Sequence, residues 1–348
     1  MIVAFHRGTA EADVQTVVRT LETRGLRTAR SSEPRRPILA VVDSVPDDVA
    51  DTLEAHALVE RVERPRGTWR RVDRAFRDSP TVVDVGGVPF GGPGITVIAG
   101  PCSVEGKEVI EEVADVARRA GAHVLRGGAF KPRTSPYAVQ GRGAEGLRQL
   151  KAAGDGAGMP IISEIMDAAH LSAFVDAGVD CLQIGARNMQ NFTLLKAVAG
   201  AGIPVMLKRG LSATIAEWLQ AAEYLAAFGA EGIILCERGI RTFETATRNT
   251  LDLTVLPLLR QWTHLPIVVD PSHAAGIPAL IPPLSRAAVA AGADGVAVEC
   301  HPRPKEAKSD GAQALLPGEL STLVAEARVV GAAVGRSFAP RERGAHAS

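Results

Sequence analysis

From Ile95 onward, eight apolar runs alternate with segments of helical periodicity. The runs are ITVIAG (95–100), HVLRG (123–127), PIISEI (160–165), CLQIGA (181–186), PVMLKR (204–209), GIILCE (232–237), PIVVD (266–270) and GVAVE (295–299). Near-continuous apolar runs belong to strands covered on both faces, as in a parallel sheet flanked by helices. Between them lie segments such as EVIEEVADVARRAGA and IAEWLQAAEYLAAFGA. Four of these end in Ala-Gly or Phe-Gly just before the next strand, where a helix C-cap belongs. Eight strand-then-helix units over about 240 residues predict an α/β chain folded as a (β/α)8 TIM barrel. A doubly wound sheet is the alternative, and the count of eight favours the barrel.

Barrels of this kind carry their chemistry at the C-terminal ends of the strands. Here those ends read Pro101-Cys102-Ser103, Arg126 leading to Lys131, Glu164, Gly185-Ala186-Arg187-Asn188, Lys208-Arg209, Glu237-Arg238, Asp270-Pro271-Ser272-His273 and Glu299-Cys300-His301. The opposite ends carry mostly Pro, Ala and Gly. Polar residues that merely solvate a surface would fall at both ends alike.

Two subsets separate by chemistry. Arg126, Lys131, Arg187, Lys208 and Arg238 are cations expected at one mouth. A cluster of that size calls for an anion of high charge density, most simply a phosphorylated carboxylate. Cys102, His273 and Glu299, with Asp310 from EAKSDG as the fourth member, form a mixed sulfur, nitrogen and oxygen set suited to a divalent transition ion. Mn²⁺, Fe²⁺, Zn²⁺ or Co²⁺ suits it better than pure Mg²⁺. A buried small cysteine and a strand-end histidine are ordinary readings of Cys102 and His273 taken singly; their joint arrival at one barrel end weakens them.

The stretch LRGGAFKPRTSP (125–136) concentrates this chemistry. Pro132 and Pro136 exclude a helix. Cations on a glycine-rich loop with hydroxyls and free backbone N–H groups suit a phosphate. A solvated basic loop has the same composition, and the neighbouring strand ends decide against it.

Lys+Arg and Asp+Glu both number 39. Without a basic excess, a nucleic-acid partner is not expected. The four cysteines are widely spaced, with no CxxC pair, which fits a reducing compartment. No N-terminal signal pattern and no apolar run of ~20 residues is present. The expectation is a soluble, cytoplasmic chain with no membrane partner.

Ahead of the barrel, residues 1–66 read as strand, helix, strand, strand, helix, strand: a small ferredoxin-like βαββαβ domain. Val14, Val17, Val18 and Leu21 give its first helix an apolar stripe, with Thr9 expected to cap its start and Gly25 its end. Nothing in this segment forms a catalytic constellation, so a regulatory or oligomerisation role is expected. Residues 67–80, in the arginine-rich stretch 64–80, read as a solvated linker. The barrel domain is expected over 81–338, beginning with a hairpin at 81–92 that has Gly86-Gly87 at its turn and is placed to plug one barrel end. The polar tail 339–348 is expected to be disordered.

The motifs GPCSVE (100–105), LRGGAFKPRTSPY (125–137), QIGARNMQNF (183–192), LKRG (207–210), CERG (236–239), DPSHAAG (270–276) and VECHP (298–302) resemble those of 3-deoxy-D-arabino-heptulosonate-7-phosphate (DAHP) synthases. The resemblance covers about Thr81 to Phe338. The N-terminal segment is similar to the ACT-related regulatory domain of one subgroup of the type I enzymes. The resemblance implies condensation of phosphoenolpyruvate, erythrose 4-phosphate and water to DAHP and inorganic phosphate, the first step of aromatic amino acid biosynthesis. It assigns Arg126, Lys131, Arg187, Lys208 and Arg238 to phosphoenolpyruvate. Arg133, Thr134 and Ser135 go to the sugar phosphate, and Glu164 goes to a place beside the reacting carbons. Cys102, His273, Glu299 and Asp310 go to the metal, with Lys131 suited to donate a proton. It further implies a homotetramer and feedback by Tyr or Phe, with chorismate mutase as a candidate partner. The runner-up is 3-deoxy-D-manno-octulosonate-8-phosphate synthase, which uses arabinose 5-phosphate; the KPRTSP motif resembles the erythrose 4-phosphate users instead.

Overall fold

The computed structural model describes residues 1–131, 137 and 140–339. The chain divides into two compact units, one comprising Met1–Thr81 with Leu258–Leu265, the other the rest.

The first unit contains β1 (Ile2–Phe5), α1 (Glu11–Thr23), β2 (Thr28–Arg30), β3 (Ile38–Val41), α2 (Asp47–Glu54) and β4 (Val59–Glu63). The sheet order is β2-β3-β1-β4, with β1 antiparallel to both β3 and β4. This is the expected βαββαβ unit. Strand alternation sends successive side chains to opposite faces. Val3, Phe5, Leu39 and Val41 therefore meet Val14, Val17 and Leu21 of α1 and Val49 and Leu53 of α2. Ile2, Ala4, Ile38 and Ala40 face the other way, where Ala75 and Phe76 cover them.

That second face revises the expectation of a solvated linker over 67–80. Trp69, Val72, Ala75 and Phe76 are buried, and Asp73 accepts the Ala75 N–H at 2.9 Å to open a short 3₁₀ turn. The apolar residues of this stretch are spaced among arginines, which conceals the packing face. A smaller revision concerns Thr9. Its hydroxyl donates to the His6 carbonyl at 2.8 Å, and Ala10 is the N-cap of α1.

The second unit opens with a hairpin, β5 (Val83–Val85) and β6 (Val88–Phe90). The barrel strands are β7 (Gly94–Gly100), β8 (Val124–Arg126), β9 (Ile161–Ile165), β10 (Cys181–Ile184), β11 (Val205–Lys208), β12 (Ile233–Glu237), β13 (Ile267–Val269) and β14 (Gly295–Glu299). Helices α3 (Lys107–Ala120), α4 (Gly143–Ala157), α5 (Leu171–Asp176), α6 (Phe192–Ala199), α7 (Ile215–Ala227), α8 (Val255–Trp262), α9 (Pro271–Ala275), α10 (Ile281–Ala290) and α11 (Pro317–Ala333) alternate with them, α8 from Leu258 onward being counted in the first unit. All eight strands pair in parallel, and β14 closes on β7 from Gly295↔Thr96 to Glu299↔Gly100. The predicted barrel is present. Strand β15 (Ser337–Phe338) extends along the start of β7, and the buried Ala339 donates its N–H to the Ile95 carbonyl at 3.0 Å. Ala339 therefore belongs to the barrel edge rather than to a disordered tail; residues 340–348 lie outside the described residues.

Val83, Val85, Val88 and Phe90 of the hairpin form one core cluster with Ile98, Val124, Ile162, Cys181, Met206, Ile234, Cys236, Val268 and Ala297. A Cβ on Gly232, just before β12, would lie 2.9 Å from Val83. The hairpin thus fills the N-terminal end of the barrel. Two residues along seven of the eight strands from this core, inward positions become polar: Arg126, Glu164, Gln183, Lys208, Arg238, Asp270 and Glu299. The barrel interior is apolar at its floor and charged at its mouth.

Candidate active site

The charged layer opens into a cavity of about 300 Å³. Cys102, Arg126, Lys131, Glu164, Arg187, Lys208, Arg238, His273 and Asp310 all line it, so strand ends up to 208 residues apart in sequence converge as expected. Glu299 is fully buried beneath, bonded to Arg126. Arg133, Thr134 and Ser135 lie outside the described residues.

The cations differ in their surroundings. Arg126 meets Glu299 at 2.9 Å, and Lys208 meets Asp270 at 2.5 Å. Two of the five expected cations thus have buried acidic partners of their own. Lys131 Nζ donates to the Cys102 carbonyl at 2.6 Å and to its Sγ at 2.9 Å. Arg238 is buried, and among the described residues no carboxylate forms an ion pair with it. Its guanidinium donates to the Gly239 carbonyl at 3.3 Å. Burial pushes its pKa below the ordinary arginine value, against the opposing pull of Asp270. An anion from solution would relieve that penalty. Arg209 and Glu237, the strand-end neighbours of Lys208 and Arg238, face away from the barrel axis and pair with each other at 2.9 Å.

Around Glu299 the donors gather. Cys102 Sγ and oxygens of Glu299 and Asp310 lie within 4.8 Å of one another. Cys102 Sγ is 3.1 Å from Asp310 Oδ2, and His273 Nε2 is 3.4 Å from Glu299 Oε1. Ligands bound to one ion at roughly 2.0–2.3 Å stand at such mutual distances. His273 Nδ1 is 2.7 Å from Asp270 Oδ2. That bond assigns the ring proton to Nδ1 and turns the Nε2 lone pair to Glu299, the arrangement that orients a metal-ligating histidine. Burial, together with Glu299 and Asp310, pushes the Cys102 thiol up to about 11, although Lys131 opposes it. A divalent cation would supply the charge that favours the thiolate. Burial acts against the Glu299 carboxylate too, but His273 and Arg126 outweigh it and hold its pKa below the usual range. Cys102, Glu299 and Asp310 face one point and, with His273 Nε2 against Glu299, fit a divalent ion.

Asp310 is the one described non-glycine residue with positive φ, at 50°. Aspartate tolerates this left-handed conformation better than most residues, and such conformations gather at functional sites. Glu164 accepts from Gln183 Nε2 at 3.2 Å. A Cβ on Gly185 would lie 2.0 Å from Glu164 Oε1, so this glycine leaves the space the carboxylate occupies.

A protein-family model described as the DAHP synthetase I family matches residues 83–331. The chain belongs to that family. It is 46% identical over 335 residues to the phospho-2-dehydro-3-deoxyheptonate aldolase of Thermotoga maritima, covering 96% of this chain and 99% of that one. The crystal structure of the Thermotoga maritima phospho-2-dehydro-3-deoxyheptonate aldolase (DAHP synthase) matches with a TM-score of 0.77 at 45% identity, over 97% of this chain and 98% of that chain. A truncated form of the Thermotoga maritima synthase matches 78% of this chain and 100% of its own length, with a TM-score of 0.73 at 46% identity. The 2-dehydro-3-deoxyphosphooctonate aldolase of Acidithiobacillus ferrooxidans is 32% identical over 66% of this chain and 86% of its own length. The DAHP synthase likeness is thus both stronger and nearly full-length. Members of the family are metal-dependent and use phosphoenolpyruvate and erythrose 4-phosphate.

Several cavity residues were not singled out from the sequence: Gln183, Arg241, Arg248 and Asn249 line it, and Asp270 and Gln313 lie against its donors. Asp270 carried a usable signal, a carboxylate three residues before His273 at a helix start. Arg248 and Gln313 carried none: the bond between them spans 65 positions.

Proposed function

We infer that this chain is a DAHP synthase that condenses phosphoenolpyruvate with erythrose 4-phosphate and water, releasing inorganic phosphate. Near-full-length identity to the Thermotoga maritima enzyme carries this reading. The cations and donors gathered in one cavity support it.

In this reading Arg126, Lys131 and Lys208 hold the phosphoenolpyruvate carboxylate side, and Arg187 and Arg238 hold its phosphate. Arg238 suits the phosphate because its buried guanidinium has no ion-pair partner among the described residues. Arg133, Thr134 and Ser135 take the phosphate of the sugar. Cys102, His273, Glu299 and Asp310 would hold the metal, Mn²⁺ ahead of Fe²⁺, Co²⁺ and Zn²⁺, which when bound supplies Lewis-acid polarisation of an oxygen. The terminal carbon of phosphoenolpyruvate forms a bond to the aldehyde carbon of the sugar phosphate. Lys131 gives the aldehyde oxygen its proton. Glu164, held by Gln183, orients the water that adds at the phosphate-bearing carbon. The C–O bond of the resulting hemiketal phosphate breaks, leaving the ketone and inorganic phosphate. Two anionic substrates repel each other, so neutralisation and alignment account for much of the acceleration.

The first unit serves as the regulatory part, and its ferredoxin-like strand order supports this. Tyr or Phe is its effector, the working form is a cytoplasmic homotetramer, and chorismate mutase is a candidate partner. No described helix is long and apolar enough to cross a membrane. The domain limits follow as 1–66, 67–80 and 81–338, revised so that 67–80 packs on the first unit's sheet and Ala339 joins the barrel.

A phosphate-release assay with phosphoenolpyruvate and either erythrose 4-phosphate or arabinose 5-phosphate tests the reading. Release with erythrose 4-phosphate is expected. Release with arabinose 5-phosphate alone would assign the chain to the octulosonate reaction, and release with neither would remove the proposed activity.

A further inference from the structure

After β12 the chain makes a loop before α8, and Ile240 and Thr250 pair across its base, each N–H reaching the other's carbonyl at 2.9 Å. At the returning end the backbone lies against α9, the short helix that carries His273. Arg248 N–H donates to the Ala275 carbonyl at 3.0 Å, and Asn249 N–H to the Ala274 carbonyl at 2.7 Å. Two glycines leave room for this approach. A Cβ on Gly276 would lie 2.8 Å from Arg248 Cβ, and one on Gly239 would lie 2.8 Å from Asn249 Cβ. Both glycines have positive φ, +69° and +85°, so a side chain there is disfavoured twice.

The side chains of this dipeptide reach three of the four expected donors. Asn249 Nδ2 donates to the His273 carbonyl at 2.9 Å. Arg248 NH1 donates to Gln313 Oε1 at 2.7 Å, and Gln313 in turn donates through Nε2 to Glu299 Oε2. The same guanidinium stands 3.8 Å from Asp310 Oδ1. Gln313 also ties back to Asp310, whose carbonyl accepts its N–H at 3.1 Å. The donors come from α9, the end of β14 and the turn beyond it, which are otherwise separate pieces of chain. The Arg248–Asn249 step is the common brace.

We propose that Arg248 and Asn249 are positioning residues that hold His273, Glu299 and Asp310 in the arrangement that binds the divalent metal. Arg248 acts on Asp310 by charge and on Glu299 through Gln313; Asn249 fixes the turn that presents His273. This rests on the reading that Cys102, His273, Glu299 and Asp310 are the ligands. Groups behind metal ligands commonly change affinity 10–100-fold when removed.

Metal-free full-length protein titrated with Co²⁺, followed by its thiolate-to-metal absorption, measures the effect without turnover. Arg248→Gln should weaken Co²⁺ binding about 10–100-fold, with the circular dichroism of the metal-free protein unchanged, and Arg248→Lys should recover part of the loss. Gln313→Leu, which leaves the backbone contacts of Arg248 in place, should weaken it in the same direction and decides the matter if Arg248→Gln fails to fold. Binding within about twofold of the unsubstituted protein in the folded variant overturns the brace. Absence of any Co²⁺ binding by the unsubstituted protein overturns the ligand assignment itself, and the brace with it.

Discussion

Asp270→Asn tests the electrostatic core of the site. The Asp270 carboxylate is fully buried and meets three donors: Lys208 Nζ at 2.5 Å, His273 Nδ1 at 2.7 Å and the His273 N–H at 2.9 Å. Burial alone would raise its pKa, but His273, Lys208 and Arg126 outweigh burial and hold it well below the usual carboxylate range. Asparagine keeps the volume and one acceptor. Its NH₂ group then faces the Lys208 ammonium, donor against donor, and leaves that charge buried and unpaired. Breaking a buried ion pair in this way costs about 3–5 kcal/mol, a fall of roughly 6–20 °C in Tm for a barrel of this size. The same NH₂ can donate to His273 Nδ1, which moves the ring proton to Nε2 and removes the lone pair facing Glu299. Metal affinity should therefore fall about 10–100-fold as well. Because the folded pKa is lowered, the stabilisation is complete above the unfolded carboxyl value near 3.9 and is lost only as pH falls through the folded value. The Tm difference between the two proteins should be flat from about pH 5 to 8. Thermal unfolding by circular dichroism and Co²⁺ titration measure both effects. A Tm within about 2 °C of the unsubstituted protein, together with unchanged Co²⁺ affinity, would refute the clasp.

Gly185→Ala should lower kcat at least about tenfold while Tm changes little, because its φ of −67° suits alanine but the new Cβ displaces Glu164; an unchanged kcat would remove Glu164 from the reaction. Lys131→Ala should cut turnover by roughly 10²–10⁴, and a near-normal rate in single-turnover measurements would exclude it as the proton donor. Removing residues 1–80 should leave phosphate release intact and abolish inhibition by Tyr or Phe. The cut falls beyond Phe76 because that residue packs on the N-terminal sheet. Equal inhibition of the shortened chain would place the effector site elsewhere.

The barrel was legible because buried parallel strands announce themselves as apolar runs. The boundaries were less so: PIVVD (266–270) shortens to Ile267–Val269, and HVLRG (123–127) to Val124–Arg126. The mouth could be read only by its strand ends, not by facing. Lys208 and Arg209 look alike in sequence, yet alternation turns one inward to Asp270 and the other outward to Glu237. Each acid that tempers the cations lies on another strand from its partner, so the charge balance was invisible until the barrel closed. The buried face of 67–80 escaped notice for a related reason. Its four apolar side chains are scattered among arginines, and nothing local indicates that a sheet face needs covering.

The hairpin packs against the barrel's apolar floor, and among the described residues the charged cavity opens at the opposite, C-terminal mouth. A packed barrel core is no passage, so reactants and products do not exchange through the floor. Here every molecule shares the mouth. For the proposed reaction, whatever settles on the buried Arg126, Lys208 and Arg238 must pass the rim before a second reactant takes the place above it. A sugar phosphate arriving first would bar the way to the floor. Sequential loading, and slowing by excess of the late-binding reactant, then follow from the architecture rather than from any one residue.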